Sequence, residues 1–120
     1  MKIAFPVAGS DLSAVLDARF GRAQKFLIVD SDNDTYELLE NGSNVDASQG
    51  AGIQSAQSVI ASGAKVVVSS HCGPKAFKVF QVAGIAVLQA PVASIADLLA
   101  KFKAGELEAM TGPDNAGHMG

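Results

Sequence analysis

The stretch KVVVSSHCGPKAFKVF, residues 65–80, joins an apolar run to a helical pattern through a short glycine–proline turn. The run KVVVSS is continuous and β-branched, which is typical of a strand covered on both faces. Apolar residues then recur at helical spacing from Ala76 to Ala83, and Gly84 ends the pattern. The stretch therefore predicts a strand followed directly by a helix, with the only cysteine, Cys72, in the turn between them.

The same alternation of strand and helix continues on both sides of this stretch. A helical face containing Ile53 and Ile60 precedes it, and the strand-like run IAVLQA follows it. A last helical face around Leu98 comes next, and Ser94 with Asp97 resembles the capping box that opens a helix. Strand–helix–strand units require parallel strands joined by right-handed crossovers, so the C-terminal half predicts a parallel sheet.

The N-terminal part predicts three more strands, KIAFPVAG, KFLIVDSD and TYELLEN. Pro6 in the first of them removes one backbone donor from the sheet. The second and third flank the turn-forming cluster SDND and are expected to pair as an antiparallel hairpin, whereas SDLSAVLDARFGRA is expected to be a long loop. The order β-β-β-α-β-α-β-α predicts an α/β fold. We expect a five-stranded mixed sheet with one antiparallel strand, FLIVD, and helices on both faces.

Length and composition restrict the classes of protein. The chain has 120 residues and 12.2 kDa, so we predict one domain over residues 1–108, followed by a flexible tail, residues 109–120, that has no periodicity. The formal net charge of −3 disfavours binding to nucleic acid or to an anionic membrane. One cysteine forms no internal disulfide, and the first apolar run is too short for a signal or a membrane span. We expect a cytoplasmic protein and, most simply, a monomer.

Two glycine-containing loops, SQGAG and SSHCGP, each precede a predicted helix. Because the first backbone N–H groups of a helix lack intrahelical partners, such loops can hold an anion, and Pro74 suits the first helical position. Arg19, Arg22, Lys25 and Lys75 could add positive charge at the same edge of the sheet. Ordinary turn chemistry explains glycine before a helix equally well, so the loops alone leave the choice open.

Three stretches of the chain resemble one known family. These are LDARFGRAQKFLIVD, the glycine-rich SQGAG and VVVSSHCGPKAFKVFQVAGIAV, within a likeness that spans roughly residues 1–108. They are similar to the dinitrogenase iron–molybdenum cofactor biosynthesis family. The resemblance implies a ribonuclease-H-like fold and the non-catalytic binding, storage or delivery of a metal–sulfur cluster. One departure is Arg19, since many relatives carry histidine before the Phe-Gly pair.

The stand-alone size and the HCGP turn are most similar to members that hold a molybdenum–copper sulfide cluster noncovalently. The resemblance thus implies such a cluster, or an iron–molybdenum cofactor or its precursor, together with a protein that donates or accepts it. Helix N-termini and basic side chains suit a large, soft anion of this kind. The predicted cofactor-binding residues are Arg19, Phe20, Arg22, Ser48, Gln49, Gly50, Ala51, Gly52, Ser70, His71, Cys72, Gly73 and Lys75.

Direct metal ligation by Cys72 and His71 is a second hypothesis for the same turn. Thiolate is a preferred ligand of copper, but one cysteine and one adjacent histidine do not complete a closed site. His118, in the predicted tail, is the only other histidine. Cys72 and His71 are therefore candidate copper ligands beside the alternatives of a non-ligating contact and a structural turn.

The alternative function is a cysteine-dependent enzyme, phosphatase-like or sulfurtransferase-like, that uses Cys72. A thiolate at a helix N-terminus can attack phosphorus, but the phosphatase loop needs an arginine six residues after the cysteine. This chain has Lys78 there, and Pro74 removes one N–H from the loop. A metal-dependent nuclease would need carboxylates on the central strands, which KIAFPVA and KVVVSS lack. We predict that Cys72 is not a catalytic nucleophile.

Overall fold

The computed structural model describes residues 1–42 and 51–112, with the side chain of Ala51 left out of the description. One six-stranded sheet runs through the molecule in the order β3-β2-β1-β4-β5-β6. Its strands are β1 (Lys2–Val7), β2 (Lys25–Asp30), β3 (Tyr36–Glu40), β4 (Val66–Ser69), β5 (Ala86–Gln89) and β6 (Glu108–Ala109), and the helices are α1 (Ala51–Ala61), α2 (Pro74–Ala83) and α3 (Ile95–Lys103).

Apolar side chains on the two faces of the sheet form two separate cores. The first contains Phe26 and Val67 from the sheet and Phe80 from α2, and α1 packs beside α2 on the same face. The second contains Phe5 and Val68 from the sheet and packs against α3. The continuous run VVVS of β4 is buried throughout because helices cover both of its sides. The predicted mixed α/β sheet with helices on both faces is therefore confirmed.

The directions of strands β1 to β5 agree with the prediction. β2 is antiparallel to both β1 and β3, as expected of FLIVD, and β1, β4 and β5 are mutually parallel. The turn between β2 and β3 is closed by the N–H of Asp34, which donates to the carbonyl of Asp30 at 2.8 Å. The ribonuclease-H-like assignment stays a prediction.

The count of five strands with a single antiparallel one is wrong, because β6 adds a sixth strand antiparallel to β5. Gly105, at φ +73°, ends α3 and turns the chain back to the sheet. The N–H of Met110 then donates to the carbonyl of Val87 at 2.8 Å. The predicted tail from residue 109 therefore begins inside the sheet, and residues 113–120 lie outside the described part of the chain.

Beyond Ala4, the loop after β1 replaces β4 as the hydrogen-bonding neighbour of β1. This pairing positions the loop at the candidate site. β1 pairs with β4 only at Ile3 and Ala4. Beyond them the carbonyl of Pro6 accepts the N–H of Asp17 at 2.7 Å, and Val7 bridges to the same loop at Leu16. A proline is accommodated in this central strand because the chain has already left the β4 ladder where the missing N–H would matter.

Helix ends set the directions of the loops around the site. Gly84 adopts φ +74° after α2, and the N–H of Ile85 donates to the carbonyl of Phe80 at 2.9 Å. At the start of α3 the hydroxyl of Ser94 accepts the N–H of Asp97 at 3.2 Å, as the capping pattern predicted. Among the helices in residues 1–42 and 51–112, none has the length and apolar character needed to cross a membrane.

Candidate functional site

The loop after β4 and the loop after β1 meet at the carboxyl ends of the parallel strands. Arg19 and His71 form an isolated parallel bridge between the two loops. The hydroxyl of Ser69 donates to the carbonyl of His71 at 2.7 Å, and that of Ser70 donates to the carbonyl of Ala90 at 2.7 Å. These contacts hold the HCGP turn against the sheet, where it separates two grooves.

The first of these, the basic groove, has a volume of about 470 Å³. It lies between the loop after β1 and the first turn of α2. Two arginines and one lysine line it, and none of its lining residues in the described part of the chain is acidic. The lining residues are Ala18, Arg19, Phe20, Gly21, Arg22, Gly52, His71, Gly73, Pro74, Lys75 and Ala76.

Arg19 is held at the mouth of the basic groove by its neighbour Asp17. The N–H of Arg19 donates to Asp17 Oδ1 at 2.9 Å, and Arg19 Nε lies 3.6 Å from the same oxygen. The Arg19 side chain is 72% exposed, so water screens this ion pair and its contribution to stability is small. The contact therefore orients the arginine while leaving most of its guanidinium surface at the groove.

Phe20 anchors the same loop in the core and also lines the groove. Its ring is buried, with the centroid 5.0 Å from that of Phe26 and 5.3 Å from that of Phe80 in an edge-to-face arrangement. A short 3₁₀ helix, Phe20–Arg22, begins at this residue and ends at Arg22, which also lines the groove. One aromatic residue therefore fixes the positions of the two arginines beside it.

The start of α2 forms the opposite wall. Gly73 is its N-cap with φ −66° and ψ 166°, and no side chain caps it. The N–H of Phe77 donates to the carbonyl of Gly73 at 3.0 Å, so the N–H groups of Lys75 and Ala76 come before the first donor of the helical pattern and have no carbonyl one turn earlier within the helix. The positive end of the helix dipole and the Lys75 side chain are thus on the basic groove.

The structure brings part of the predicted site together. Seven of the thirteen candidates line the basic groove: Arg19, Phe20, Arg22, Gly52, His71, Gly73 and Lys75. Ser48, Gln49 and Gly50 lie outside the described residues, and of Ala51 only the backbone, as the first residue of α1, is described. Ser70 faces the neighbouring groove, with its hydroxyl bonded to Ala90. For the described candidates the structure gives the position, and whether any of the thirteen residues binds a ligand stays a prediction.

Cys72, one of the predicted cofactor-binding residues, lines neither of the two grooves, and whether it contacts a ligand stays a prediction. Its side chain is fully buried in the core cluster that also contains Phe20 and Phe80. Burial raises the pKa of the Cys72 thiol from 9.0 to about 12, so the group is a neutral thiol at neutral pH. A thiolate is the nucleophile and the metal ligand, so this environment argues against Cys72 in both roles. Lys78 does not line the basic groove; it lines a separate depression formed by residues of α1 and α2.

His71 occupies a different environment from the cysteine next to it. It is partly buried and lines the basic groove as well as its neighbour. No group of three or more His, Cys, Asp or Glu side chains within residues 1–42 and 51–112 is arranged to hold a metal ion. Because Cys72 points into the core, it cannot share a metal with His71 without rearrangement of the turn. Ligation of copper by His71 alone stays a prediction.

The neighbouring acidic groove was missed by sequence reasoning. It has a volume of about 590 Å³, and its lining includes Glu106 and Glu108 beside a single lysine, Lys101. Gln89, Pro91 and Val92 also line it. This groove exists because the chain returns to the sheet as β6. The sequence signal for that strand was the glycine at residue 105 followed by ELEAM, in which charged and apolar residues alternate.

Fold and site together define an α/β protein with a mixed sheet and a basic groove at the carboxyl edge of its parallel strands. The chain belongs to the dinitrogenase iron–molybdenum cofactor family, whose sequence profile matches residues 1–105. An uncharacterized protein of Methanocaldococcus jannaschii is 35% identical over 111 residues, which cover 90% of each chain.

Two solved structures show the same architecture over nearly their whole length. The apo form of the orange protein from Desulfovibrio gigas superposes with a TM-score of 0.92 at 36% identity, covering 95% of this chain and 96% of that one. A Thermotoga protein assigned to the DUF35 family gives a TM-score of 0.82 at 29% identity, with coverage of 97% and 98%. The family predicted from the three sequence stretches is therefore confirmed.

Proposed function

We propose that this protein binds an anionic metal–sulfur cluster noncovalently in the basic groove and stores or delivers it. The particular cargo proposed is a molybdenum–copper sulfide cluster, as the family resemblance implies, with an iron–molybdenum cofactor or its precursor as the related alternative. The observation that carries the proposal is the charge of the groove. Arg19, Arg22 and Lys75 line it without any carboxylate among the described lining residues, in a chain of net charge −3.

The chemistry of the groove fits a large, soft anion. Guanidinium groups are weakly hydrated and carry several donors in a plane, which suits contact with a polarisable, sulfur-covered surface. The first turn of α2 adds backbone donors and a positive dipole end. Phe20 and Pro74 supply apolar surface that the sulfur atoms of a cluster can contact. A groove of this composition can hold a cluster without a bond from protein to metal.

The state of Cys72 supports noncovalent binding over ligation and over cysteine chemistry. The thiol is buried beneath the groove and protonated at neutral pH, so it offers neither a thiolate ligand nor a nucleophile. We therefore assign no catalytic step to this chain. The cluster is its cargo, and a protein that donates or accepts the cluster is the partner that the proposal implies.

Titration of the apoprotein with preformed molybdenum–copper sulfide cluster, followed by visible absorption, tests the proposal. Replacing Arg19 and Arg22 together by alanine should weaken uptake by about 1–3 kcal/mol, the range for charge-assisted hydrogen bonds. Both side chains lie on a surface loop, so unfolding temperatures should change little. Uptake by wild type should weaken as salt rises, because the groove is open to water.

A matched control removes the same amount of charge elsewhere. Lys78 and Lys101 lie outside the basic groove, and their joint replacement by alanine should leave uptake within about twofold of wild type, an effect typical of exposed charges. If the two double variants bound the cluster equally well at low and high salt, the basic groove would not be the binding site.

A further inference from the structure

A third depression, here the helix groove, lies on the outer surface of α1 and α2. Its volume is about 400 Å³, and Ile53, Val79 and Val82 form its floor between Lys75 and Lys78. Val82 is 81% exposed, more than any other large hydrophobic residue in the described part of the chain. A single exposed valine is ordinary, but three aliphatic side chains in one concave surface make an apolar patch of the kind found at interaction sites.

In the described part of the chain, the charged residues that line the helix groove, Lys75 and Lys78, have one sign. The chain contains no acidic residue between Asp46 and Asp97, although it carries twelve over its full length. α1 and α2 both fall inside this interval, and Lys75 and Lys78 are the charged residues of the two helices. A net-negative protein thus presents an apolar surface whose rim is positive, which is complementary to an acidic surface with an apolar centre.

The helix groove is continuous with the basic groove. Lys75 lines both grooves, because it stands in the first turn of α2, where the basic groove meets the helix groove. A protein bound on the helix groove would therefore sit beside the mouth of the basic groove. The small apolar floor suits a weak, transient complex rather than a permanent one, as delivery of a cargo requires.

We propose that the helix groove docks the protein that delivers or receives the cluster, and that this partner presents an apolar helix flanked by carboxylates. The identity of the cargo handed over rests on the proposed function above, whereas the docking surface rests on the shape and charge of α1 and α2. The apolar side chains of the partner would cover Val79 and Val82, and its carboxylates would pair with Lys75 and Lys78.

A synthetic amphipathic helix of about 18 residues, with leucines on one face and flanking glutamates, is a suitable probe. Titrated to about 1 mM into isotope-labelled protein, it should shift the amide resonances of α1 and α2 and leave those of β6 unchanged. A peptide with lysine at each glutamate position, and an acidic peptide without leucines, should each bind at least tenfold more weakly. Absence of selective shifts on α1 and α2 would overturn the proposal.

Two exposed valines provide matched variants. Val82→Glu places a charge in the helix groove, whereas Val92→Glu makes the same change on the acidic groove, where Val92 is 55% exposed. We expect Val82→Glu to weaken peptide binding at least tenfold and Val92→Glu to change it less than twofold, with both variants folded. Equal effects of the two substitutions would overturn the assignment of this surface.

Cluster uptake by the same variants separates this inference from the proposed function. Val82→Glu should take up free cluster as wild type does, because Val82 does not line the basic groove. If wild type bound the peptide but took up no cluster, the docking surface would stand and the proposed cargo would be wrong. If wild type took up the cluster but did not bind the peptide, only the docking surface would be wrong. Two further outcomes would overturn the proposal. If the shifts on α1 and α2 depended on the concentration of the protein itself, the surface would be assigned to a second copy of the chain. If they arose with anionic vesicles in place of the peptide, it would be assigned to a membrane.

Discussion

The basic and acidic grooves share His71 and Ala18 as a common wall but differ in the chain segments that supply their charge. The basic groove takes its cations from the loop after β1 and from the start of α2. The acidic groove takes Glu106 and Glu108 from the return of the chain into β6. Two depressions of comparable volume thus lie side by side at one edge of the sheet with opposite charge.

This contrast indicates that position in the fold does not by itself make a binding site. The carboxyl ends of parallel strands gather loops and depressions in any open α/β sheet. Which depression attracts an anion depends on the side chains that the loops bring there and on the direction of the nearest helix. Only the basic groove, among these two, combines a helix N-terminus with arginines, so the two grooves should respond oppositely when their charges are exchanged.

The largest expected effect comes from reversing charge in each groove separately. Arg19→Glu with Arg22→Glu should weaken uptake of the molybdenum–copper sulfide cluster by at least about 3 kcal/mol, since attraction is replaced by repulsion. Glu106→Lys with Glu108→Lys should strengthen uptake by less than about 0.5 kcal/mol, because those residues lie outside the site and are screened by water. Titration followed by visible absorption measures both.

A control for folding accompanies the charge reversals. All four residues are exposed, so circular dichroism and thermal unfolding should match wild type within a few degrees. If the reversal in the acidic groove changed uptake more than the reversal in the basic groove, the assignment of the two grooves would be inverted.

The burial of the Cys72 thiol, in the turn that separates the two grooves, can be tested through the pH dependence of stability. The folded state raises the pKa of Cys72 to about 12 from 9.0, so the unfolded chain loses its proton first as the pH rises. This contribution to stability is fully present below pH 9 and is lost progressively between about pH 9 and 12. At pH 10.5 the loss should reach about 2 kcal/mol, at about 1.4 kcal/mol per pH unit.

The measurement compares urea unfolding of wild type with that of Cys72→Ala from pH 8 to pH 10.5. The variant is less stable throughout because it leaves a cavity, but its stability should fall less steeply above pH 9. All other ionisable groups are the same in the two proteins, so their effects cancel in the comparison. Parallel pH profiles would show that the thiol is accessible to water, and Cys72 would again be a candidate ligand.

The difference between local patterns and long-range contacts explains which elements could be predicted from the sequence. Periodicity predicted β4, α2, β5 and α3, and the hairpin turn predicted β2 against β3, because these elements are defined by local patterns. β6 was missed because a two-residue strand has no period of its own. It is held by pairing with β5 and by packing of Met110, which are long-range contacts.

For the candidate site, sequence reasoning identified residues that line the basic groove but not the direction of each side chain. Arg19, Arg22 and Lys75 were predicted from charge beside glycine turns and do line one groove. Cys72 was included because it stands in the glycine loop SSHCGP before a predicted helix, yet its side chain is buried in the core while His71 lines the groove. The core cluster around Cys72 includes Phe20, which is distant in the sequence, so no local pattern contains this burial.

A smaller effect separates charge from geometry within the basic groove. Arg19→Lys with Arg22→Lys keeps the formal charge of the groove but removes the planar guanidinium donors. Uptake should fall by about 1 kcal/mol, between wild type and the double alanine variant. Cluster titration at low and high salt measures this, and uptake equal to wild type would mean that point charges suffice to hold the cluster.

The smallest expected effect concerns Gly52, which lines the basic groove from α1. A Cβ at this position would lie 3.6 Å from Ala76 Cβ, an ordinary van der Waals distance. Alanine also has the higher helix propensity, so Gly52→Ala should leave the free energy of unfolding unchanged or raise it by up to about 1 kcal/mol. The added methyl group narrows the groove beside α2, and cluster uptake should weaken by a few tenths of a kcal/mol. Thermal unfolding and cluster titration on one preparation give both numbers. A more stable variant with tighter uptake would mean that the cluster does not approach the backbone of α1, and contact would then be confined to the arginine loop and α2.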